Sequence, residues 1–545
     1  GALSLAPFIG LHEGLLYWGV MISPALEILT LWVLFWATRP LLSSGWFLLM
    51  AVLFATQPAL RAYFLIARPD HHSLQIFLYA ALFALMLRSF MEKTPTSRFF
   101  LAGGIAALAL WVSIEALVPI FSILATLGLL WLWPCNAQSG GEVAGDEVVR
   151  RGYLTALIRF LQGIALFLLP ALAIERVSFD WLSVVYDRLS IVHVVLFGLT
   201  ALTWIGIGRA EAKLVVAGRG GLLLRLGLTA LGIILPLFVI GIIFPDFFKG
   251  PFAEVDPRIM GIWFDRISEV QPLLKGDFET TGRLIFMLGP GFLALAATAW
   301  AFWRGSTVPR PASFYVFLSL VLFTVLGLYQ VRWASYAELI AVLPWTILLA
   351  ATMAWRGGWH LKSGVFVPLR SGLFLIVLLA HFILGGVCLK LAEESKPTDE
   401  PPVSESEKKK DTCQWPVFAT AFSNPLFDKG RPLTLFSFTH QGPEILYRTG
   451  HKVVGTPYHR NAAAILDTHD VLSALDIGAA HDILARRKVD YVVLCTDSPE
   501  ARVYREMPGE TLFARLEAGT PPPWLRPVPL NGKAGVSFRL FEMVD

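Results

Sequence analysis

The chain is short of charge. Its 41 acidic and 45 basic residues make up 16% of 545, where a soluble protein carries about a quarter. A surface that poor in charge cannot keep so long a chain in water. Cysteine is scarce too: Cys135, Cys388, Cys413 and Cys495, with no CxxC pair among them. That spacing gives neither a zinc motif nor a thiol-redox motif. The chain has no P-loop, no GxSxG and no GxGxxG in a strand–helix setting, so an ATP-driven pump and a Rossmann cofactor enzyme have no support. A net charge of +4 gives no reason to expect nucleic-acid binding. What is abundant is apolar: 55% hydrophobic residues, with 45 Gly, 39 Phe and 18 Trp, and a mean hydropathy of +0.61. This is the composition of a polytopic α-helical membrane protein.

A spanning helix needs about 20 apolar residues. Candidates lie at 15–37, 43–64, 73–90, 99–116, 118–134, 155–175, 189–208, 222–245, 284–304, 312–330, 335–355 and 369–391. The block 99–134 is too long for one span and is divided at "EALVP", which brings the expectation to about twelve. Lys and Arg in short loops set orientation. One alternate set of loops carries Arg39, then Arg88, Lys93 and Arg98, then Arg150 and Arg151, then Arg209, Lys213 and Arg219, then Arg304 and Arg310, then Arg356, Lys362 and Arg370. These are placed in the cytoplasm. "ARPDHHS", "EALVP", "ERVSFDWLSVVYDR", the long segment 246–283 and "YQVRW" then face the other side, where the chain also emerges after its last span.

Residues 1–391 are thus expected to form the membrane domain. Residues 392–414, charged and proline-bearing, read as a linker. From 415 to 545 the composition is that of a small α/β domain, with "LTLFSF" and "YVVLC" as buried strands. Cys413 and Cys495 share one side of the membrane in this topology; a disulfide and two free thiols both remain open.

Three clusters could carry chemistry. "RPDHH" sets Asp70 and His72 at the start of a helix. A carboxylate and an imidazole there can converge on a divalent cation; an inert polar loop is the alternative. The segment 246–283, "EVDPRIMGIWFDRISEVQPLLKGDFETTGR" included, mixes carboxylates with aromatics. It suits an interfacial helix covering a cavity, or a structural loop lying on the membrane. "YQVRWASYAELIAVLPW" puts Arg332 at the mouth of a helix, where its planar fork suits phosphate; a snorkelling arginine is the plainer reading. Glu115 sits at a helix end with no evident local partner. "YDRLSIVH" and "GTPYHRN" are weaker candidates.

Taken in this order, the clusters resemble those of the catalytic subunit of oligosaccharyltransferase, a GT-C-fold glycosyltransferase acting on polyprenyl-linked glycans, and the chain looks like a diverged bacterial-type member. "RPDHH" looks like the family's second acidic motif, which implies metal ligation by Asp70 and His72. "ISEVQP" is similar to the stretch whose glutamate works at the metal and acceptor site, which implies that role for Glu269. "VRWASYAELIAVLPW" resembles the helix whose arginine contacts the lipid-linked pyrophosphate, which implies it for Arg332. His71 and Gln271, inside two of these stretches, are expected at the substrate. The family has thirteen spans followed by an outer domain. Its first Asp-x-Asp motif follows the first span, and no such motif stands near Gly1. The opening "GALSLAPFIGL", without Met or a basic n-region, leads to the expectation that a span and that motif lie upstream. The outer domain also has no Trp-Trp-Asp motif, which reads the acceptor sequon in the family.

The resemblance implies metal-dependent transfer of a sugar or oligosaccharide from a polyprenyl (pyro)phosphate carrier on the outer membrane face. Asp70, His72 and Glu269 would hold a divalent cation, Mn or Mg, with Asp70 and Glu269 catalytic. The expected partners are a lipid-linked glycan donor, membrane lipids, an acceptor that is a protein, a lipid or a glycan, and a partner in a membrane complex. The expected location is the bacterial cytoplasmic membrane, with the C-terminal domain periplasmic. The competing reading is a GT-C-shaped scaffold or accessory subunit without activity. A transporter would need paired broken helices or repeats, which are not evident.

Overall fold

A computed structural model describes residues 1–545 apart from 93–95, 135–142, 177–179, 214–217, 254, 305–307, 356–357, 361–365, 396–412, 424–426, 428, 531–533 and 545. It divides into two units. The first comprises Gly1–Ala253 and Glu269–Ser395, the second Glu254–Ser268 and Lys396–Asp545.

In the first unit every apolar segment read from the sequence falls on a helix. Ten helices of the described residues are long and apolar enough to cross a membrane, from Leu11–Thr38 to Arg370–Glu394. Two segments depart from the expected straight spans. Ser97–Val112 is apolar but only 16 residues long. Segment 43–64 is a pair, Ser44–Thr56 and Pro58–Phe64, bent by 77°.

The bend has a local cause and a distant one. Gln57 takes an extended conformation before Pro58, as a residue preceding proline does. Pro58 then opens a new helix at its first position, where its missing N–H costs nothing. The free N–H groups of Ala59 and Leu60 are met by Glu338 of helix Ala334–Ala354, at 3.2 and 2.8 Å. The pair acts as one crossing. Ser23 reaches Ser73 at 3.3 Å, and Arg88 stacks over Trp36 at 5.2 Å. Helices Leu11–Thr38 and His71–Met91 therefore run parallel, so the chain between them must return to its starting side.

Helices Ser97–Val112 and Val143–Glu175 touch backbone to backbone. A Cβ on Gly103 would lie 2.1 Å from the carbonyl oxygen of Phe160, and one on Gly163 2.1 Å from that of Phe100. Small residues give close helix packing where lipid supplies no hydrophobic drive. Elsewhere the interior is aromatic: Tyr79, Phe323 and Tyr336 pack with ring centroids 5.1–5.3 Å apart. Away from Asp70, at the other end of helix His71–Met91, Glu92 binds both Arg88 and Arg98, at 2.6 and 2.7 Å.

The second unit holds a five-stranded sheet in the order Lys452–Val453, Thr434–Phe436, Tyr491–Cys495, Phe538–Met543, Leu525–Val528. The first three strands are parallel and the last two join antiparallel. Alternation along Tyr491–Cys495 feeds two cores. Val492 and Leu494 pack with Phe436, Leu512 and Phe513. Tyr491, Val493 and Cys495 pack with Trp415, Phe418 and Leu435. Cys413 and Cys495 form a disulfide, Cα–Cα 5.9 Å, which decides between the two states left open by the sequence. Segment 246–283 is not the single interfacial helix considered above. It breaks into short turns, Pro245–Lys249, Arg258–Ile262, Phe264–Arg266 and Ser268–Val270. Residues 254–268 of it belong to the second unit, where Arg258 pairs with Asp470 at 3.3 Å.

Candidate active site

The site begins where helix His71–Met91 starts. Asp70 is its N-cap, and one carboxylate oxygen accepts the backbone N–H of His72 at 3.1 Å. The same oxygen lies 2.8 Å from Nδ1 of His72 and 3.1 Å from Nδ1 of His71. Burial opposes ionisation of Asp70, but the hydrogen bonds from His71 and His72 outweigh it and hold the carboxyl below the ordinary range.

The loop before the helix is pinned at several points. Ala67 adopts φ 61, a left-handed conformation that costs a non-glycine residue about 1–2 kcal/mol. Its neighbours hold it there: the Ser23 hydroxyl donates to the Arg68 carbonyl at 2.6 Å, and Ser73 to the Asp70 carbonyl at 2.7 Å. Arg68 donates to the carbonyl of Ala62 at 2.7 Å and lies over the Tyr63 ring, which in turn stacks on His72.

Arg68 then links the loop to the long segment, reaching Glu269 at 3.1 Å and Asp70 at 3.5 Å. Gln271, two residues on, accepts from Lys275 Nζ at 3.1 Å, and its carbonyl accepts the N–H of Val331 at 3.0 Å. That bond ties the segment to the turn carrying Arg332. Arg332 donates to Glu115 at 2.5 Å. The Nε of Arg332 and the second oxygen of Glu115 are buried without a partner. Glu115 and Glu269 both lie within electrostatic reach of His72.

The donor set can be tested against a cation. Ligand atoms of Asp70, His71 and His72 all lie within 4.8 Å of one another. With Nδ1 of His72 donating to Asp70, its Nε2 carries the lone pair, and that atom is buried without a partner. One carboxylate and two imidazoles suit a divalent transition metal, and they fit Mg less well, which prefers oxygen. The residues fit the group.

Of the sequence candidates, the structure gathers Asp70, His71 and His72. Glu269 joins them through Arg68 and is outside the three-residue group. His71, expected at the substrate, stands among the metal-capable residues. Arg332 and Gln271 lie on adjoining turns. Sequence reading gave no role to Tyr63 or Arg68. Arg68 was inside the quoted motif, but its link to Glu269 spans 201 residues; Tyr63 carried no signal.

No family model and no curated protein matches the chain. Solved structures do. An Archaeoglobus fulgidus oligosaccharyltransferase without ligand superposes with a TM-score of 0.62 at 15% identity, over 90% of this chain and 60% of that one. The fold is that of an oligosaccharyltransferase. The archaeal oligosaccharyltransferase AglB from Archaeoglobus fulgidus, in complex with an inhibitory peptide and a dolichol-phosphate, gives 0.60 at 15% identity, over 91% and 60%. The Archaeoglobus fulgidus oligosaccharyltransferase in complex with Zn and sulfate gives 0.57 at 14%, over 94% and 60%. The chain therefore spans about 60% of the length of the oligosaccharyltransferases it matches.

Proposed function

We propose that the chain moves a sugar or oligosaccharide from a polyprenyl (pyro)phosphate carrier to an acceptor on the non-cytoplasmic face of the membrane, in a reaction that needs a divalent cation. One observation carries this reading. In an oligosaccharyltransferase fold, Asp70, His71 and His72 converge at the start of a spanning helix, with Glu269 tied to them through Arg68.

Asp70 and His72 would hold the cation, with His71 within reach. Bound there, it would supply positive charge to stabilise the departing phosphate. Manganese suits the two imidazoles better than magnesium. Arg332 binds the phosphate. Glu115 fixes one arm of its fork, and its unpartnered Nε remains to donate. Glu269, held by Arg68, orients the acceptor or completes the ligand set. His71 and Gln271 contact substrate beside them. The partners are the lipid-linked donor, membrane lipids and an acceptor protein, lipid or glycan.

The Cys413–Cys495 disulfide supports a non-cytoplasmic C-terminal domain, because such bonds persist in oxidising compartments. The arginine-rich loops at the other ends of the helices support the same orientation. We place the chain in the bacterial cytoplasmic membrane with this domain periplasmic.

The test is transfer from a polyprenyl-pyrophosphate-linked oligosaccharide by the purified full-length protein, with Mn²⁺ and then with chelator. Transfer is expected with the metal. It should fall about 100-fold in Asp70→Ala and in Glu269→Ala, the scale of losing one stabilising group at a transfer site. Equal transfer by wild type and both variants would remove the assignment.

A further inference from the structure

The second unit contains a cleft of about 490 Å³, within the ~300–1,000 Å³ range of small-ligand sites. Ile262, Trp263 and Arg266 form one wall, and Tyr504, Gln441, His440, Glu444 and Glu500 of the α/β domain form the other. None of these residues has a part in the transfer chemistry proposed above.

The polar groups of this cleft are unbalanced. Its two carboxylates are already used: Glu500 takes the backbone N–H groups of Thr439 and His440, each at 3.0 Å, and Nδ1 of His440 at 3.1 Å, and Glu444 takes Nε of Arg448 at 2.6 Å. Its donors are not used. Gln441 is only 5% exposed. Its Oε1 accepts the Ser437 hydroxyl at 2.8 Å, and its Nε2 is buried without a partner. The indole Nε1 of Trp263 is likewise buried and unpartnered. Arg266 makes no ion pair among the described residues. Buried donors left unmatched are costly and rare in folded proteins. A cleft with surplus donors and aromatic walls is complementary to a ligand that brings many oxygen acceptors and one apolar ring face. A guanidinium without a carboxylate adds a preference for negative charge.

We infer that this cleft binds an acidic saccharide, with a sugar ring against Trp263, its oxygens on the Trp263 and Gln441 donors, and its carboxylate on Arg266. A peptide fits less well, because its backbone N–H groups would meet a cleft whose two carboxylates, Glu444 and Glu500, already have donors. The inference goes beyond the transfer reading and does not require it.

The probes are cellobiouronic acid, its neutral counterpart cellobiose, and an Asn-x-Thr peptide, each titrated calorimetrically into the full-length protein in detergent. The acidic disaccharide should bind, and the neutral one about tenfold more weakly, the scale of one charge-assisted hydrogen bond. Arg266→Gln should remove that preference without changing cellobiose binding. Trp263→Ala should abolish both, and Trp263→Phe, which keeps a ring but loses the N–H, should restore part. An unchanged proteolysis pattern checks that the variants fold. Failure of both sugars to bind would overturn the inference, as would binding unaffected by these variants or binding of the peptide alone. Transfer activity with no saccharide binding here removes only this site. Binding here with no transfer removes only the proposed reaction.

Discussion

Glu115 and Arg332 stand 217 residues apart and meet in a half-buried pair. Each was visible in the sequence as an ionisable residue at a helix end. Their meeting was not, because it depends on how two helices pack, and no local spacing encodes that. Asp70 and His72 are the opposite case. Two residues apart at a helix start, they are brought together by the N-cap geometry itself, so the short motif was enough. Asp490 in the α/β domain permits a test at this scale. Burial alone would push its carboxyl up, but Arg431 at 2.7 Å and the N–H of Thr434 at 2.8 Å, with Lys429, hold it below the ordinary range. The unfolded chain titrates near 3.9. The folded value is lower, so the contribution to stability is whole above about pH 4 and is lost as pH falls through the folded value. Pulse proteolysis of the C-terminal domain in urea should show its midpoint dropping on acidification in wild type. Asp490→Asn should start lower and lose less. Parallel pH curves for the two proteins would contradict this.

Among the elements, apolar length was the strongest signal: eleven of the twelve segments each lie on one helix and segment 43–64 on two. The break at Gln57 was not legible. Pro58 hinted at it, but segment 43–64 is apolar throughout, and the bend depends on Glu338 in a helix 280 positions later (338 less 58). Glu338 is 1% exposed and serves both N–H groups that open Pro58–Phe64. Glu338→Ala leaves them unsatisfied and should lower stability by about 2 kcal/mol or more. Glu338→Gln keeps one acceptor oxygen and should cost less. The apparent thermal midpoint in detergent measures both, and an alanine variant as stable as wild type would refute the capping role. The glycine contact of Gly103 with helix Val143–Glu175 was equally hidden, because either glycine alone reads as ordinary apolar sequence.

For the whole molecule, the two-part organisation was legible as a change of composition near the polar stretch after the last span. The division of segment 246–283 was not. Residues 254–268 go with the α/β domain and Glu269 with the membrane unit, although the segment has one mixed composition throughout. The second unit is further closed by the Cys413–Cys495 bond across 82 residues, a loop length for which the entropic stabilisation is about 4.5 kcal/mol. Cys413→Ser should lower the urea midpoint of that domain and leave the midpoint of the helical unit unchanged; an unaltered domain midpoint would count against the bond.

The proposed chemistry depends on a cation held by Asp70 and His72, with His71 within reach. Electron paramagnetic resonance of Mn²⁺ titrated into the full-length protein tests it without reference to activity. One bound ion per chain with nitrogen hyperfine coupling is expected, lost in Asp70→Ala and in His72→Ala. No bound Mn²⁺, or a signal that survives both substitutions, would contradict it.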